Sequence, residues 1–261
     1  MSESKIISNI KLKIDDFLYF CGFLKLTLKE LFSFWLKKDV TLKVLIRQIL
    51  FTGYEALAII TLIGLAIGAI IIIYGFSLLS NFGQTDLVYT ILIIIVTKEL
   101  GPIITAFILI ARSGTAISTE LGNMVVNHEV EALNSIGVNP ISYLVVPRIL
   151  GVIISFFGLL IYLNIAGILG GYIFATIITP IPFIDFISNF FQKLKFLDII
   201  VSILKSIIFG FIISLIPCYY GLKVEYATTE VPQKTIKAVV SSLTWVIILD
   251  IGLAIITYSF M

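Results

Sequence analysis

The chain has 261 residues, of which 59% are hydrophobic and only 13% charged. Soluble domains carry about 25% charged residues, so this composition predicts an integral membrane protein rather than a soluble domain. The net charge of +2 gives no indication of nucleic acid as a partner. A single histidine, His128, excludes a multi-histidine metal site. Cys21 and Cys218 have no metal or redox spacing and are interpreted as apolar filler.

An amphipathic helix is predicted over residues 10–36. Its apolar residues recur every three or four positions, at Ile10, Ile14, Phe17, Cys21, Leu24, Leu28, Leu31 and Trp35. Charged residues fall elsewhere on the helical wheel, at Lys11, Asp15, Lys25 and Lys29. This pattern is typical of a helix lying along a membrane interface. A sixth span is the alternative, which the density of charges disfavours. No cleavable signal peptide is expected.

Five apolar segments are each long enough to cross a bilayer as a helix, which takes about 20 residues. They cover residues 56–80, 87–112, 149–178, 199–217 and 238–260. Residues 81–86 are predicted to form a short turn, and Pro180 and Pro182 end the third segment. The sequence thus predicts an all-α membrane protein, with a cytoplasmic or interfacial segment at 1–47 and a transmembrane domain at 48–261.

The positive residues are concentrated on one side of the predicted bundle. They precede the first span, flank the connection between the second and third, and lie between the fourth and fifth: Lys37, Lys38, Lys43, Arg47, Arg112, Arg148, Lys223, Lys234 and Lys237. The opposite side has only Lys193 and Lys195. The positive-inside rule therefore predicts that the N-terminus is cytoplasmic, or on the equivalent inner side.

Charged residues and a proline interrupt the second span. Lys98 lies about 17 Å along its axis, near the middle of the bilayer core, and Glu99 adjoins it. Pro102 has no N–H, so it leaves the carbonyl of Lys98 without its helical donor. A charge at this depth costs about 2.5–3.5 kcal/mol. We expect a polar cavity lined by Lys98, Glu99 and the freed carbonyl; an internal ion pair that locks helices together is the alternative.

Two further charges lie within the spans. Asp250 is predicted at a depth similar to that of Lys98, and a contact between the two is a hypothesis. Lys205, near the outer end of the fourth span, is expected to snorkel to the interface without a specific role. Small residues are spaced for close helix packing, within one chain or between two, at Gly64 and Gly68, Gly167 and Gly171, and Gly114 and Ser118.

A short helix is predicted at residues 127–135, in the connection between the second and third spans. Asn127 can cap it, and Glu129 favours its first turn. Gly137 suits a C-terminal stop, and Pro140 prevents continuation.

This helix would have an apolar edge formed by Val130, Leu133 and Ile136, beside Glu129 and Glu131. A short amphipathic helix on the cytoplasmic side can dock a partner protein. An ordinary solvated loop is an equally good interpretation of the pattern.

A family resemblance lies in the run from Lys98 to Arg148, KELGPIITAFILIARSGTAISTELGNMVVNHEVEALNSIGVNPISYLVVPR. Its ELGP, A-x-R-x-G, E-L-G-x-M, G-x-x-P and Y-L-V-x-P-R elements resemble those of the MlaE (YrbE-type) permeases. These are membrane subunits of ABC transporters that move phospholipids together with MCE-domain proteins. The chain departs from the family at Lys98, where arginine is common; lysine keeps the charge but not bidentate phosphate binding. The acidic helix reads NHEVEAL rather than a TEQIDAL-like form.

The resemblance implies an MlaE permease fold, with an interfacial helix and five transmembrane helices, that works as a homodimer. It implies that the 127–135 helix couples to an ATPase subunit through Glu129, Glu131 and Leu133. It implies a lipid cavity lined by Lys98, Glu99, Ile71, Leu78, Leu79 and Asp250. Structural roles would fall to Gly101, Pro102, Arg112, Gly114, Glu120, Gly122, Pro147 and Arg148.

The chain has no G-x-x-x-x-G-K-[ST] loop, so we expect ATP and Mg to bind a partner ATPase, with no cofactor in this chain. The expected function is that of a non-enzymatic permease subunit for phospholipids, in a bacterial inner membrane or a plastid inner envelope. Its expected partners are the ATPase, an MCE-domain protein and a second copy of itself. The alternatives are a proton-coupled secondary transporter using Glu99 or Asp250 and a membrane scaffold locked by ion pairs.

Overall fold

The computed structural model describes residues 2–33, 42–79, 87–178, 182–225 and 227–259, and it is helical in every regular element of these ranges. The α-helices are α1 Ser2–Ser33, α2 Leu42–Gly53, α3 Leu57–Leu79, α4 Leu87–Leu92, α5 Leu100–Leu109, α6 Thr115–Val126, α7 Glu129–Ser135, α8 Val146–Ile178, α9 Phe183–Lys193, α10 Phe196–Leu222 and α11 Glu230–Ser259. A 3-10 turn, Tyr54–Ala56, joins α2 to α3. Wider π-helical turns occur at three places. Ile93–Glu99 joins α4 to α5, Ile110–Gly114 joins α5 to α6, and Ile141–Val145 leads into α8.

Five helical segments of the described residues are long and apolar enough to cross a membrane, which confirms the predicted fold class. They are TM1 Val44–Leu79, TM2 Leu87–Val126, TM3 Ile141–Ile177, TM4 Phe196–Leu222 and TM5 Glu230–Thr257. Each is longer than its predicted apolar segment, because a helix can continue through polar residues beyond the hydrocarbon core of the membrane. The predicted boundary at 47–48 accordingly falls inside α2. The predicted turn at 81–86 lies outside the described residues.

TM1 packs closely against TM3 through glycines. A Cβ on Gly68 would lie 1.9 Å from the carbonyl oxygen of Gly167, and a Cβ on Gly64 would lie 2.8 Å from the Cβ of Ala166. The two backbones come this close only because no side chain stands between them. Both GxxxG pairs therefore serve helix packing within one chain.

The N-terminal helix α1 lies against TM4 and the start of TM3. Phe23 and Thr27 are buried, and the Phe20 ring packs edge-on against Tyr219, with 5.1 Å between centroids. Cys21, predicted on the apolar face of this helix, is exposed in the bundle. The helix is not among the five membrane-spanning segments. The predicted helix residues 34–36 lie outside the described residues.

Between TM3 and TM4 lies α9, a helix that the sequence pattern did not predict. Its polar residues, including Asp185 and Lys193, give the segment the composition of a loop. Phe186 and Phe190 are nevertheless buried one helical turn apart, and the Phe186 ring lies 5.4 Å from that of Tyr89 in TM2. The segment is amphipathic, and its apolar stripe covers the adjacent ends of TM2 and TM3.

The short helix between TM2 and TM3, α7, begins at Glu129. Its N-cap is His128, which has a left-handed backbone (φ +59°) and makes no side-chain capping bond, so the predicted cap at Asn127 is wrong. Asn127 instead caps the C-terminus of α6. The predicted stop at Gly137 is confirmed, because its φ of +80° favours glycine and its N–H donates to the carbonyl of Asn134 at 3.0 Å.

Candidate functional site

Five charged side chains meet where TM2, TM4 and TM5 pack together: Lys98, Glu99, Asp198, Lys205 and Asp250. We refer to them as the charged cluster. At 1.5 Å per residue, Lys98, Lys205 and Asp250 lie about 17, 14 and 11 Å from the ends of their spans at Leu87, Phe196 and Thr257. These three ends are on the same side of the bundle, so the three charges lie at comparable depth.

Lys205 is the centre of the cluster, and its side chain is 0% exposed. Its Nζ donates hydrogen bonds to Glu99 Oε2 at 2.7 Å and to the carbonyl oxygen of Lys98 at 2.9 Å. It also lies 2.8 Å from Asp250 Oδ1, as an ion pair without hydrogen-bond alignment. The expectation that Lys205 snorkels to the interface is therefore wrong. Acceptors from two other helices surround the ammonium group and offset its loss of hydration.

The ELGP motif shapes the backbone at this site. Pro102 has no N–H to offer the carbonyl of Lys98, and the ammonium group of Lys205 donates there instead. The preceding turn is π-helical, which brings the backbone close to Gly101. A Cβ at Gly101 would lie 1.9 Å from the carbonyl oxygen of Val96, so only glycine fits. Such π-helical turns are frequent at functional sites.

The members of the charged cluster differ in exposure. Lys98 Nζ lies 3.7 Å from Asp198 Oδ1, and these side chains are 7% and 6% exposed. The Asp250 side chain is 10% exposed, whereas that of Glu99 is 30% exposed. The cluster therefore presents mainly a carboxylate to its surroundings. The predicted contact between Lys98 and Asp250 stays a prediction.

An apolar groove of about 240 Å³ lies between TM2, TM3, TM4 and α9. Its lining includes Thr97, which precedes Lys98 in TM2, and Ser202, one helical turn from both Asp198 and Lys205. Apolar side chains of TM3, TM4 and α9 form most of the remaining wall. A groove of this composition suits a hydrocarbon chain.

The three TM1 residues predicted in a lipid cavity have different environments. Ile71 is buried in the core, and Leu79 is half-buried against it. Leu78 is exposed. Of the three, Leu78 is therefore the one whose side chain is accessible to a lipid in this structure.

The two predicted structural arginines form ion pairs between spans. Arg112 of TM2 contacts Glu55 of TM1. Arg148 of TM3 lies 2.9 Å from Glu120 of TM2, and it donates to the carbonyl oxygen of Leu144 at 2.7 Å. These contacts join the start of TM1 and the start of TM3 to the end of TM2.

The remaining predicted structural residues lie at close helix contacts. A Cβ on Gly114 would lie 3.4 Å from Cγ of Pro217 in TM4. A Cβ on Gly122 would lie 3.1 Å from the nearest methyl group of Val231 in TM5. Pro147 is buried in the first turn of α8, directly after the π-helical turn Ile141–Val145.

The helix α7 turns its acidic residues outward. Glu129 and Glu131 are exposed, and Glu131 Oε2 lies 2.9 Å from Nδ1 of His128. Leu133 is half-buried against the protein's own core, as is Val130. The predicted apolar edge therefore faces mostly inward, and its outward-facing part is Ile136, which is exposed.

Sequence reasoning missed Asp198 as a member of the charged cluster, and it expected no specific role for Lys205. They are seven residues apart, which places them on one face of TM4 two turns apart. That spacing within an otherwise apolar helix is the signal that identifies them. Within the described ranges, no group of three His, Cys, Asp or Glu side chains is placed to hold a metal ion.

Residues 45–256 match a family model described as Permease MlaE. A probable ABC transporter permease protein of Rickettsia prowazekii (strain Madrid E) is 32% identical over 207 residues, 79% of this chain and 80% of the relative. A protein of the same description from Synechocystis sp. is 31% identical over 203 residues, covering 76% and 75%. The protein TRIGALACTOSYLDIACYLGLYCEROL 1, chloroplastic, of Arabidopsis thaliana is 27% identical over 209 residues, covering 80% and 60%.

Proposed function

The chain belongs to the MlaE permease family, and we propose that it moves phospholipids as the membrane subunit of an ABC transporter. The relatives are named as ABC transporter permease proteins, a family of membrane subunits rather than enzymes. A separate ATPase binds ATP and Mg and supplies the energy, and an MCE-domain protein exchanges lipid with the permease. The protein lies in a bacterial inner membrane or a plastid inner envelope, with its N-terminus on the cytoplasmic or stromal side.

The charged cluster and the apolar groove carry the proposal. Charges at membrane depth cost about 2.5–3.5 kcal/mol each and are usually retained for function. A phospholipid has a polar head group, which suits a charged site within the membrane, and acyl chains, which suit the apolar groove. The name of the Arabidopsis relative contains the word for a diacylglycerol lipid, which supports a lipid cargo.

Energy coupling is assigned to α7. The helix lies in the connection between TM2 and TM3, with Glu129 and Glu131 exposed and Leu133 anchoring it to the core. An anchored helix with an accessible acidic face can transmit the movement of a bound ATPase to TM2 and TM3. Ile136, exposed at its end, adds an apolar contact.

Assembly as a homodimer completes the proposal. TM5 is the least buried of the five spans. Its exposed apolar residues include Ile236, Val240, Trp245 and Ile248. A second copy of the chain can pack against part of this exposed surface, and lipid can cover the rest.

Mass spectrometry of the tagged protein, purified gently from its native membrane, tests the proposal. We expect an ATPase, an MCE-domain protein and stoichiometric phospholipid to co-purify. A lone chain carrying only bulk lipid would contradict the proposal. Transport driven by a proton gradient in liposomes of the isolated chain would then favour the secondary transporter, for which the intramembrane acids Glu99 and Asp250 are the supporting observation.

A further inference from the structure

A polar pocket of about 440 Å³ lies at the end of the bundle where TM1 and TM3 begin and TM2 ends. Its lining includes two arginines, Arg47 of α2 and Arg148 of α8, and one acid, Glu120 of α6. Gln48 and Tyr143 add an amide and a hydroxyl group. We refer to this cavity as the arginine pocket. No member of the charged cluster lines it, so the two are separate sites.

The guanidinium group of Arg148 is buried but only partly hydrogen-bonded. Its side chain is 9% exposed, and one of its terminal nitrogens lies 2.9 Å from Oε2 of Glu120. The other terminal nitrogen donates to the carbonyl oxygen of Leu144 at 2.7 Å. Nε has no hydrogen-bond partner among the described residues. Buried donors usually have a partner, so an unmatched one is typical of a place where a ligand or water binds.

The arginine pocket carries a net positive charge. The two arginines contribute two positive charges and Glu120 one negative charge, so the formal sum is +1. The side chain of Glu120 is 58% exposed, and water screens its attraction for Arg148. Arg47 is exposed and forms no ion pair with any residue of the described ranges. Because a guanidinium group presents a fork of donors that fits phosphate oxygens, the pocket suits a phosphate group.

The surface around the arginine pocket has the composition of a membrane interface. Ile46 and Leu50, on either side of Arg47 in α2, are exposed, and so is Tyr143 in the lining. Exposed apolar side chains next to an arginine and a tyrosine are typical of the boundary between hydrocarbon and head groups. A lipid can place its phosphate between the arginines and its acyl chains along the apolar side chains. A free phosphate would use the arginines alone.

We infer that the arginine pocket binds the phosphate of an anionic phospholipid, which stays bound between TM1, TM2 and TM3 and is not cargo. Basic pockets between transmembrane helices on the cytoplasmic side bind anionic head groups, and the positive-inside rule assigns this end of the bundle to that side. Phosphatidylglycerol brings a net negative charge to the pocket. Phosphatidylcholine carries the same phosphate together with a cationic group, which the positive lining repels. The inference goes beyond the proposed function and holds whichever cargo the protein moves.

The experiment uses the full chain with its co-purifying subunits, delipidated in detergent and titrated separately with phosphatidylglycerol, phosphatidylcholine and inorganic phosphate. The measurement is the concentration of each that gives half of the maximal rise in Tm. We expect this concentration to be about fivefold lower for phosphatidylglycerol than for phosphatidylcholine, the contribution of one basic side chain near an anionic lipid. Arg47→Gln should remove the difference. Lys237→Gln, which removes an exposed positive charge of TM5 at the same end of the bundle, should keep it.

Four outcomes would overturn the inference. Two are equal half-maximal concentrations for the two lipids and a preference for phosphatidylglycerol that survives in Arg47→Gln. Loss of the preference in Lys237→Gln as well would assign it to the overall charge of the protein. A rise in Tm with inorganic phosphate that matches phosphatidylglycerol and depends on Arg47 would assign the pocket to free phosphate. If Arg47→Gln does not fold, Arg47→Lys, which keeps the charge but not the fork of donors, should weaken the preference. The proposed function is tested separately, by co-purification.

Discussion

The ammonium group of Lys205 donates a 2.9 Å hydrogen bond to the main-chain carbonyl oxygen of Lys98. Proline at position 102 deprives that carbonyl of its helical donor. Lys205 of TM4 therefore supplies the hydrogen-bond donor that the backbone of TM2 lacks. Its positive charge also forms ion pairs with both Glu99 and Asp250. One side chain thus joins three spans, and the irregular backbone of TM2 persists because a neighbouring helix satisfies it.

Removal of the central ammonium group should destabilise the fold. In Lys205→Met, the acids Glu99 and Asp250 and the freed carbonyl lose their shared donor while staying largely buried. Breaking a buried pair in this way costs about 3–5 kcal/mol. We expect a clearly lower Tm of the detergent-solubilised protein. Lys193→Met, the same change at an exposed position of α9, is the control, and an equal Tm for both variants would contradict the role of Lys205.

Alanine at position 101 should disrupt the π-helical turn of TM2. Its Cβ would lie 1.9 Å from the carbonyl oxygen of Val96, and backbone cannot yield as a flexible side chain can. We expect Gly101→Ala to lower stability by about 1–3 kcal/mol, the usual cost of overpacking. Gly158→Ala is the matched control, because a Cβ there meets nothing within 4 Å. Thermal unfolding measures both, and similar values would show that the turn tolerates a side chain.

Alanine at position 68 should separate TM1 from TM3. The added Cβ would lie 1.9 Å from the carbonyl oxygen of Gly167 in the same chain. Gly68→Ala is therefore expected to reduce the stability of each protomer, by about 1–3 kcal/mol. Gly252→Ala in TM5, where a Cβ has open space, serves for comparison. A variant with unchanged Tm but altered oligomeric mass would instead assign the GxxxG pair to contacts between chains.

Charge reversal on α7 should uncouple the ATPase. Glu131 is exposed on the face that we assign to the partner. We expect Glu131→Lys to reduce stimulation of ATP hydrolysis by about tenfold, within the usual range of coupling energies. Glu225→Lys reverses another exposed acid on the same side of the bundle and should leave stimulation intact. If both variants stimulate hydrolysis like the wild type, α7 is not the coupling element.

The attachment of α1 should depend on Lys223. This side chain contacts Asp16 of α1 and lies over the ring of Tyr219, with 5.5 Å between Nζ and the ring centroid. Burial lowers the pKa of Lys223, but hydrogen bonds to Asp16 and Tyr219 outweigh burial, so its pKa lies above the ordinary value. The stabilisation is therefore complete below the pKa of an unfolded lysine, about 10.4, and is lost as the pH rises through the raised pKa.

Hydrogen exchange of α1 measures this contact. Lys223→Met should increase exchange near Asp16, by an amount that corresponds to about 1 kcal/mol or less, because the pair is mostly exposed. Lys29→Met removes another exposed lysine, from α1 itself, and should not change exchange at that position. Equal exchange in both variants would show that aromatic packing on Tyr219 holds α1 without the ion pair.

Local chemistry was sufficient to predict several features from the sequence. The long apolar segments predict five spans, since crossing hydrocarbon requires about 20 apolar residues wherever the helix packs. Pro102 predicts a freed carbonyl because a missing N–H is a property of the residue itself. Gly137 predicts the stop of α7 for a similar reason, because glycine tolerates a positive φ.

The tertiary structure decided which groups meet. From the sequence, Lys205 is expected to snorkel without a specific role, and Asp198 lies just before the predicted fourth span. Both enter the charged cluster because TM4 packs against TM2 and TM5. The partner of each buried charge, the exposure of Glu99 and the inward orientation of Val130 and Leu133 follow from contacts between distant segments. Local sequence sets which side chains a helix carries, but the free energy of a buried charge depends on its neighbours, and only the packed bundle determines those.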